Sequence, residues 1–257
     1  MRGSLRLLRV PELGDDDGGR GVAPSPELAP LVGNVLLDRL VGAELRLITA
    51  ASYGRRDELM ARLAAQMRAL GARPYVVPEG GSNGLGALGY VHAMAELRRQ
   101  LDLGLAGGRP FDLVVHACGS GGTAAGVALG ARRHGVAAAL CAMAVCESAA
   151  TFEQRIRDIM DEARALDHAL GEPASWSVDD SAKGPAYAVA SAEQRACIVE
   201  VARLSGLVLD PVYTGKAFFG LWRRCASGEL RGRRVLFLHT GGLPGLLAQG
   251  DELAGVV

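Results

Sequence analysis

Phe111-Asp112-Leu113-Val114-Val115-His116-Ala117-Cys118-Gly119-Ser120-Gly121-Gly122-Thr123-Ala124-Ala125-Gly126 is the stretch that decides the fold. Its first eight residues are a nearly unbroken apolar run, the pattern of a strand buried on both faces. Glycines follow, and then residues 123–133 read as a helix. A buried strand, a glycine turn and a helix form half of a βα unit. The turn is also chemistry: glycines let backbone N–H groups approach an anion, Ser120 and Thr123 add hydroxyl donors, and the helix N-terminus adds partial positive charge. Gly119, Ser120, Gly121, Gly122 and Thr123 are therefore candidate ligands for a phosphate monoester. Two other readings of the same residues stay open. Gly119, Gly121 and Ala124 fit G-x-G-x-x-A, a dinucleotide fingerprint for which Glu147 could hold a ribose hydroxyl. A tight turn without a ligand is the third.

Outward from this stretch, strands and helices alternate. Helices are expected over residues 31–40, 56–70, 85–101, 151–170, 193–204 and 216–225. Strands are expected over 44–49, 74–77 (ended by Pro78), 138–145 and 235–239, with a short extended piece at 207–209. The alternation predicts an α/β fold with a largely parallel sheet covered on both faces. Residues 11–30 are rich in Gly, Asp and Pro without apolar period, which reads as a flexible leader over 1–25.

The 257 residues carry 28 basic and 28 acidic side chains, so no single-sign field points to nucleic acid or a membrane surface. Aromatic residues are only 5%, which argues against base stacking. No apolar run reaches the ~18 residues that span a bilayer. Cys118, Cys141, Cys146, Cys197 and Cys225 are odd in number and form no C-x-x-C pair. Reduced thiols in a cytoplasmic protein are expected, with no metal site. Lys183 and Lys216 are the two lysines of the sequence.

Four segments, taken in order, resemble the D-cysteine desulfhydrase and 1-aminocyclopropane-1-carboxylate (ACC) deaminase family, whose members use pyridoxal 5′-phosphate (PLP). They are Gly80-Gly81-Ser82-Asn83-Gly84-Leu85-Gly86-Ala87-Leu88-Gly89-Tyr90, Gly119–Thr123, Asp210-Pro211-Val212-Tyr213-Thr214-Gly215-Lys216-Ala217 and His239-Thr240-Gly241-Gly242. The resemblance implies the two-domain, three-layer α/β/α fold of tryptophan-synthase-β-like enzymes (PLP fold type II). Residues 26–79 would be the remainder of a small α/β domain and 80–257 the large PLP-binding domain. It implies that Gly119–Thr123 hold the phosphate, that Tyr213 stands at the reacting face, and that Thr240 faces the ring edge. Thr214 would face the pyridine nitrogen, where ACC deaminases carry a carboxylate and the desulfhydrase branch a threonine. Gly184-Pro185-Ala186-Tyr187 resembles the family's G-x-G-Y segment, which makes Tyr187 a second active-site tyrosine. Ser82 and Asn83 also suit a helix cap. Lys216 reads as a helix-start side chain with local hydrogen bonds, and His239 as a satisfied buried histidine.

The family's lysine that bonds PLP lies in a G-G-N-K-type motif upstream of the first matching segment, together with a Q-S-N-H-type loop that grips the substrate carboxylate. Neither motif occurs in this sequence. The expectation is an N-terminally truncated member with no covalent PLP attachment and no useful catalysis by this chain alone. The parent activity implied is conversion of D-cysteine to pyruvate, ammonia and sulfide. A small amino acid is the expected substrate, and a homodimer is an assembly open to it. A non-catalytic phosphate- or PLP-binding remnant and a Rossmann-type oxidoreductase are the alternatives.

Overall fold

The computed structural model describes residues 5–9 and 31–256. The chain divides into two compact units, residues 1–78 and 79–257. In the first, β1 (Leu5–Arg9) pairs in parallel with β2 (Glu44–Ile48), Leu5 opposite Glu44 and Arg9 opposite Ile48. Three helices follow the chain: α1 (Gly33–Leu40), α2 (Ala50–Gly54) and α3 (Arg56–Ala69). Leu45 and Ile48 are almost inaccessible. The expected leader over 1–25 thus contains a strand at Leu5–Arg9, where leucines alternating with arginine pair with β2. The rest of that leader lies outside the described residues.

The expected strand over residues 74–77 is absent; these residues are unpaired coil. Pro74 and Pro78 favour extended backbone, but Tyr75 and Val77 are exposed and no strand among the described residues lies alongside. Extended conformation is a local property, whereas a strand needs a partner.

The second unit carries a four-stranded, all-parallel sheet in the order β5-β4-β3-β6. Its strands are β3 (Phe111–Cys118), β4 (Ala137–Ala144), β5 (Ser175–Asp179) and β6 (Val235–Leu238). β3 is central, with neighbours on both edges, which is why its sequence is apolar almost throughout. One sheet face is covered by α4 (Gly84–Asp102), α5 (Gly122–His134) and α6 (Ala149–Leu166), with Val114, Leu140, Phe152 and Ile156 in the core between them. The other is covered by α8 (Thr214–Ala226), with Val115, Met143 and Ala217 between, and α7 (Ala192–Ser205) packs behind it through Ile198 and Leu209. Full burial of each of these Val, Leu, Ile, Met and Phe side chains contributes about 1.5–3 kcal/mol. Helices α9 (Leu243–Ala248) and α10 (Gly250–Leu253) close the chain.

Residue choice follows position. α5 is buried over its first ten residues except the half-buried Thr123, because it lies between the sheet and α4, and its glycines and alanines permit that close packing. A Cβ on Gly126 would lie 2.2 Å from the Ala87 carbonyl oxygen of α4. α6 buries Phe152, Ile156, Ile159, Met160 and Ala163, one face at helical spacing, and Ser148 caps its first turn by accepting from Thr151 N. β5, an edge strand, was not expected from the sequence. Its Ser-Trp-Ser-Val-Asp pattern holds two apolar residues and pairs on one side only.

Candidate active site

The C-terminal ends of β3, β4 and β6 all open at one edge of the sheet, the place where parallel α/β sheets take ligands. β3 runs directly into Gly119-Ser120-Gly121 and the N-terminus of α5. Gly121 adopts φ +100°, a left-handed conformation that turns the chain into the helix. Ser82, just before α4, packs on this turn: its hydroxyl lies 2.7 Å from Ser120 Oγ and accepts from Gly122 N at 3.2 Å. A Cβ on Gly122 would lie 2.7 Å from that hydroxyl. The cap expectation holds for Asn83, whose Oδ1 accepts from Gly86 N, whereas Ser82 serves the glycine turn. Gly122 N–H therefore already faces an oxygen ligand, and the turn offers Ser120 and Thr123 hydroxyls, both half-buried, beside it. That donor set, at the start of a 13-residue helix and with glycines where a Cβ would intrude, fits a phosphate monoester.

Tyr213 closes the other side of the turn. A Cβ on Gly119 would sit 3.0 Å from its ring carbon Cε1. The Tyr213 hydroxyl is 2.5 Å from that of Tyr187, with the rings edge-on at 6.1 Å. Burial, and then the Tyr187 hydrogen bond, push the Tyr213 phenol far above its ordinary pKa, so it stays protonated. Tyr213 is partly buried and Tyr187 exposed, so the pair is open to solvent on the Tyr187 side.

Asp210 organises this turn. Its buried carboxylate accepts from the backbone N–H groups of Val212, Tyr213 and Thr214 and from the Thr214 hydroxyl at 2.6 Å. Thr214, expected at the pyridine nitrogen, is fully buried; its hydroxyl donates to Asp210 Oδ1 and accepts from Asp210 N. Donation to a ring nitrogen requires the bond to Asp210 to be exchanged. The His239–Gly242 turn after β6 lies against the same carboxylate, since a Cβ on Gly242 would lie 2.2 Å from Asp210 Oδ1. Thr240, in that turn, is exposed. His239 Nδ1 accepts from Gly241 N, so Nε2 carries the proton and donates to Val208 O at 3.0 Å. His239 is thus exposed rather than buried as expected, though both ring nitrogens are hydrogen-bonded to the backbone.

Lys216 departs from its expected local role. Its ammonium reaches 71 residues back in sequence to Val145 O and also binds Lys183 O and Ala186 O. Lys183 lies 4.0 Å from Asp180. Ser82 and Lys216 carry no local sequence signal for these roles, because their partners are distant in the chain.

A C-terminal-edge glycine turn with N–H and hydroxyl donors, bordered by a hydrogen-bonded tyrosine pair, has the chemistry to hold a phosphorylated cofactor. The chain belongs to the family described as "Pyridoxal-phosphate dependent enzyme", which it matches over residues 22–241. Over 236 residues it is 38% identical to the bifunctional D-cysteine desulfhydrase/1-aminocyclopropane-1-carboxylate deaminase, mitochondrial, of Arabidopsis thaliana, covering 88% of this chain and 56% of that protein. It is 38% identical to a putative 1-aminocyclopropane-1-carboxylate deaminase of Thermotoga maritima, over 87% of this chain and 69% of that one. Against the D-cysteine desulfhydrase of Yersinia pestis it is 41% identical over 75% of this chain and 57% of that one. The crystal structure of an ACC deaminase homologue superposes with a TM-score of 0.78 at 31% identity, covering 98% of this chain and 69% of that chain. The chain therefore spans little more than half the length of the Arabidopsis and Yersinia relatives. The fold is that of tryptophan-synthase-β-like PLP enzymes, and family membership replaces the dinucleotide reading of the glycine turn. Among the described residues, no helix is long and apolar enough to cross a membrane.

Proposed function

We propose that this chain carries a PLP site of the D-cysteine desulfhydrase type, built to expel a β-thiol from a D-amino acid rather than to open the ACC ring. When bound, PLP supplies an electron sink for the carbon next to the amino group. The residues around it have separate tasks. Gly119, Ser120, Gly121, Gly122 and Thr123 bind the phosphate. Tyr213 presents a protonated phenol at the border of that turn, and Tyr187 orients it through the 2.5 Å hydrogen bond. Thr214, whose hydroxyl donates to Asp210, would have to exchange that bond to donate to the ring nitrogen and, unlike a carboxylate, would leave that nitrogen neutral. A neutral ring nitrogen makes a weaker sink, which suits departure of a good leaving group such as sulfide. Thr240 lies on the turn that Gly242 brings against Asp210.

The single observation that carries this reading is the packing of Tyr213 directly on the phosphate turn at Gly119. We further infer that this sequence by itself binds PLP reversibly and turns over no substrate, because the Lys216 amine is engaged by three carbonyls and Lys183 lies beside Asp180. A cytoplasmic location and a homodimer belong to the same proposal; five free cysteines support the former, and sedimentation velocity tests the latter.

Two assays test the proposal. Equilibrium dialysis of PLP should show saturable binding that Ser120→Asp weakens by at least tenfold, since the added carboxylate repels phosphate. Equal binding by the variant would refute the phosphate site. Release of pyruvate from D-cysteine, or of 2-oxobutanoate from ACC, should not exceed the rate of PLP in buffer. Turnover of ACC would refute the substrate assignment, and turnover of D-cysteine alone would refute the inactivity.

A further inference from the structure

Lys216 lies in the first turn of α8 with 1% of its surface exposed, yet it carries an ammonium. All three of its protons have partners: Val145 O at 3.1 Å, Lys183 O at 2.8 Å and Ala186 O at 2.7 Å. Three donors meet three acceptors, all backbone carbonyls whose negative ends converge on one point. Val145 follows the last residue of β4. Lys183 and Ala186 bracket Gly184-Pro185 in the loop that leads to Tyr187.

The loop is built around this side chain. Gly184, at φ +74°, passes so close that a Cβ there would lie 3.3 Å from Lys216 Cε. Gln194 secures the other flank, donating from Nε2 to Ala182 O at 2.7 Å while its Oε1 accepts from Ser191 N. Gln249 donates to Ala188 O at 3.1 Å. Tyr187 comes one residue after the last carbonyl that Lys216 holds, and its hydroxyl is the hydrogen-bond partner of Tyr213. Burial lowers the Lys216 pKa, while the Asp210 carboxylate favours the charged form, as Cys146 would if ionised. The carbonyl dipoles act in the same direction as that carboxylate.

We infer that Lys216 is a positioning residue whose ammonium pins the 183–187 loop to the end of β4 and thereby holds Tyr187 against Tyr213. The role is neither cofactor attachment nor local helix capping. Its meaning for catalysis rests on the proposed place of Tyr213 at the reacting face, but the clamp itself is read without substrate or cofactor.

Because the sequence has two lysines, the clamp can be seen directly in the unmodified chain. With ¹⁵N-labelled lysine, the side-chain ammonium spectrum should show one slowly exchanging resonance near neutral pH, assigned by its loss in Lys216→Met. A wild-type spectrum without a protected ammonium overturns the inference. In Lys216→Met with retained circular dichroism, tryptic cleavage at Lys183–Gly184 should rise at least tenfold and Tyr213 should ionise at lower pH. Lys216→Ala should regain protease resistance when n-propylammonium is added, a rescue that a merely structural loss would not show. Unchanged cleavage and unchanged tyrosine titration in folded Lys216→Met overturn the inference. If Lys216→Met does not fold, the wild-type ammonium spectrum decides alone. Failure of the Tyr213 assignment would leave these readouts untouched, so the two claims can fail separately.

Discussion

Replacing Asp210 by alanine should damage both stability and site. The carboxylate is 1% exposed and accepts four hydrogen bonds, three from the first N–H groups around the start of α8 and one from Thr214. Each buried donor left without a partner costs about 1–3 kcal/mol, and loss of an N-terminal helix cap alone about 0.5–2 kcal/mol. Gly242 backbone lies against the carboxylate, so water has little room to replace it fully. Leaving two of the four donors unsatisfied gives a loss of about 2–6 kcal/mol, a large share of the roughly 5–15 kcal/mol that holds a domain together. Asp210→Asn keeps the volume but turns an NH₂ toward N–H donors, and should cost about 2–4 kcal/mol. Urea unfolding at pH 7, followed by circular dichroism, measures both. A loss below about 1 kcal/mol for the alanine variant would show that Asp210 does not organise the turn, and the reasoning about Tyr213 and Thr214 would go with it.

Other perturbations follow from the same geometry. His116 is fully buried with Nε2 unpartnered, and burial lowers its pKa from 6.5 to about 4. The unfolded chain therefore takes up a proton below pH 6.5 that the folded chain refuses, so stability present above pH 6.5 falls by about 3 kcal/mol as pH drops to about 4. His116→Leu should flatten that part of the stability–pH curve, and an unchanged slope would sink the assignment. Gly126→Ala forces a Cβ to 2.2 Å from Ala87 O and should cost at least about 1–3 kcal/mol through separation of α4 and α5, read as a lower melting temperature. Tyr187→Phe removes the second-largest cause of the raised Tyr213 pKa, so absorbance titration should show Tyr213 ionising at lower pH though still above 10, because burial remains.

How much of this was legible in the sequence depends on how local each signal is. β3 and β4 are inner strands and announce themselves as apolar runs, and β6, an edge strand, does so through Val235-Leu236-Phe237-Leu238. β5 pairs on one edge only, and its polar alternation carries too little signal to be read. Residues 74–77 have the composition of a strand but lack a neighbour among the described residues, whereas Leu5–Arg9 has a neighbour in β2 that its arginines conceal. The glycine turn could be read locally as a strand-to-helix turn, whereas Tyr213 and Thr214 were marked out by the family resemblance and not by any spacing rule. The roles of Ser82 and Lys216 were not legible, since Ser82 meets Ser120 across 38 residues and Lys216 meets Val145 across 71. Such long-range hydrogen bonds are properties of the packed fold, and no spacing rule reports them.

The most direct measurement is the visible absorption spectrum of the purified chain with PLP, before and after borohydride reduction, followed by peptide mapping. The expected result is a bound cofactor that dialysis removes, competes with inorganic phosphate, and leaves Lys216 unlabelled after reduction. Stoichiometric labelling of Lys216, or no PLP binding at all, would contradict the placement of the cofactor and the role given to that lysine.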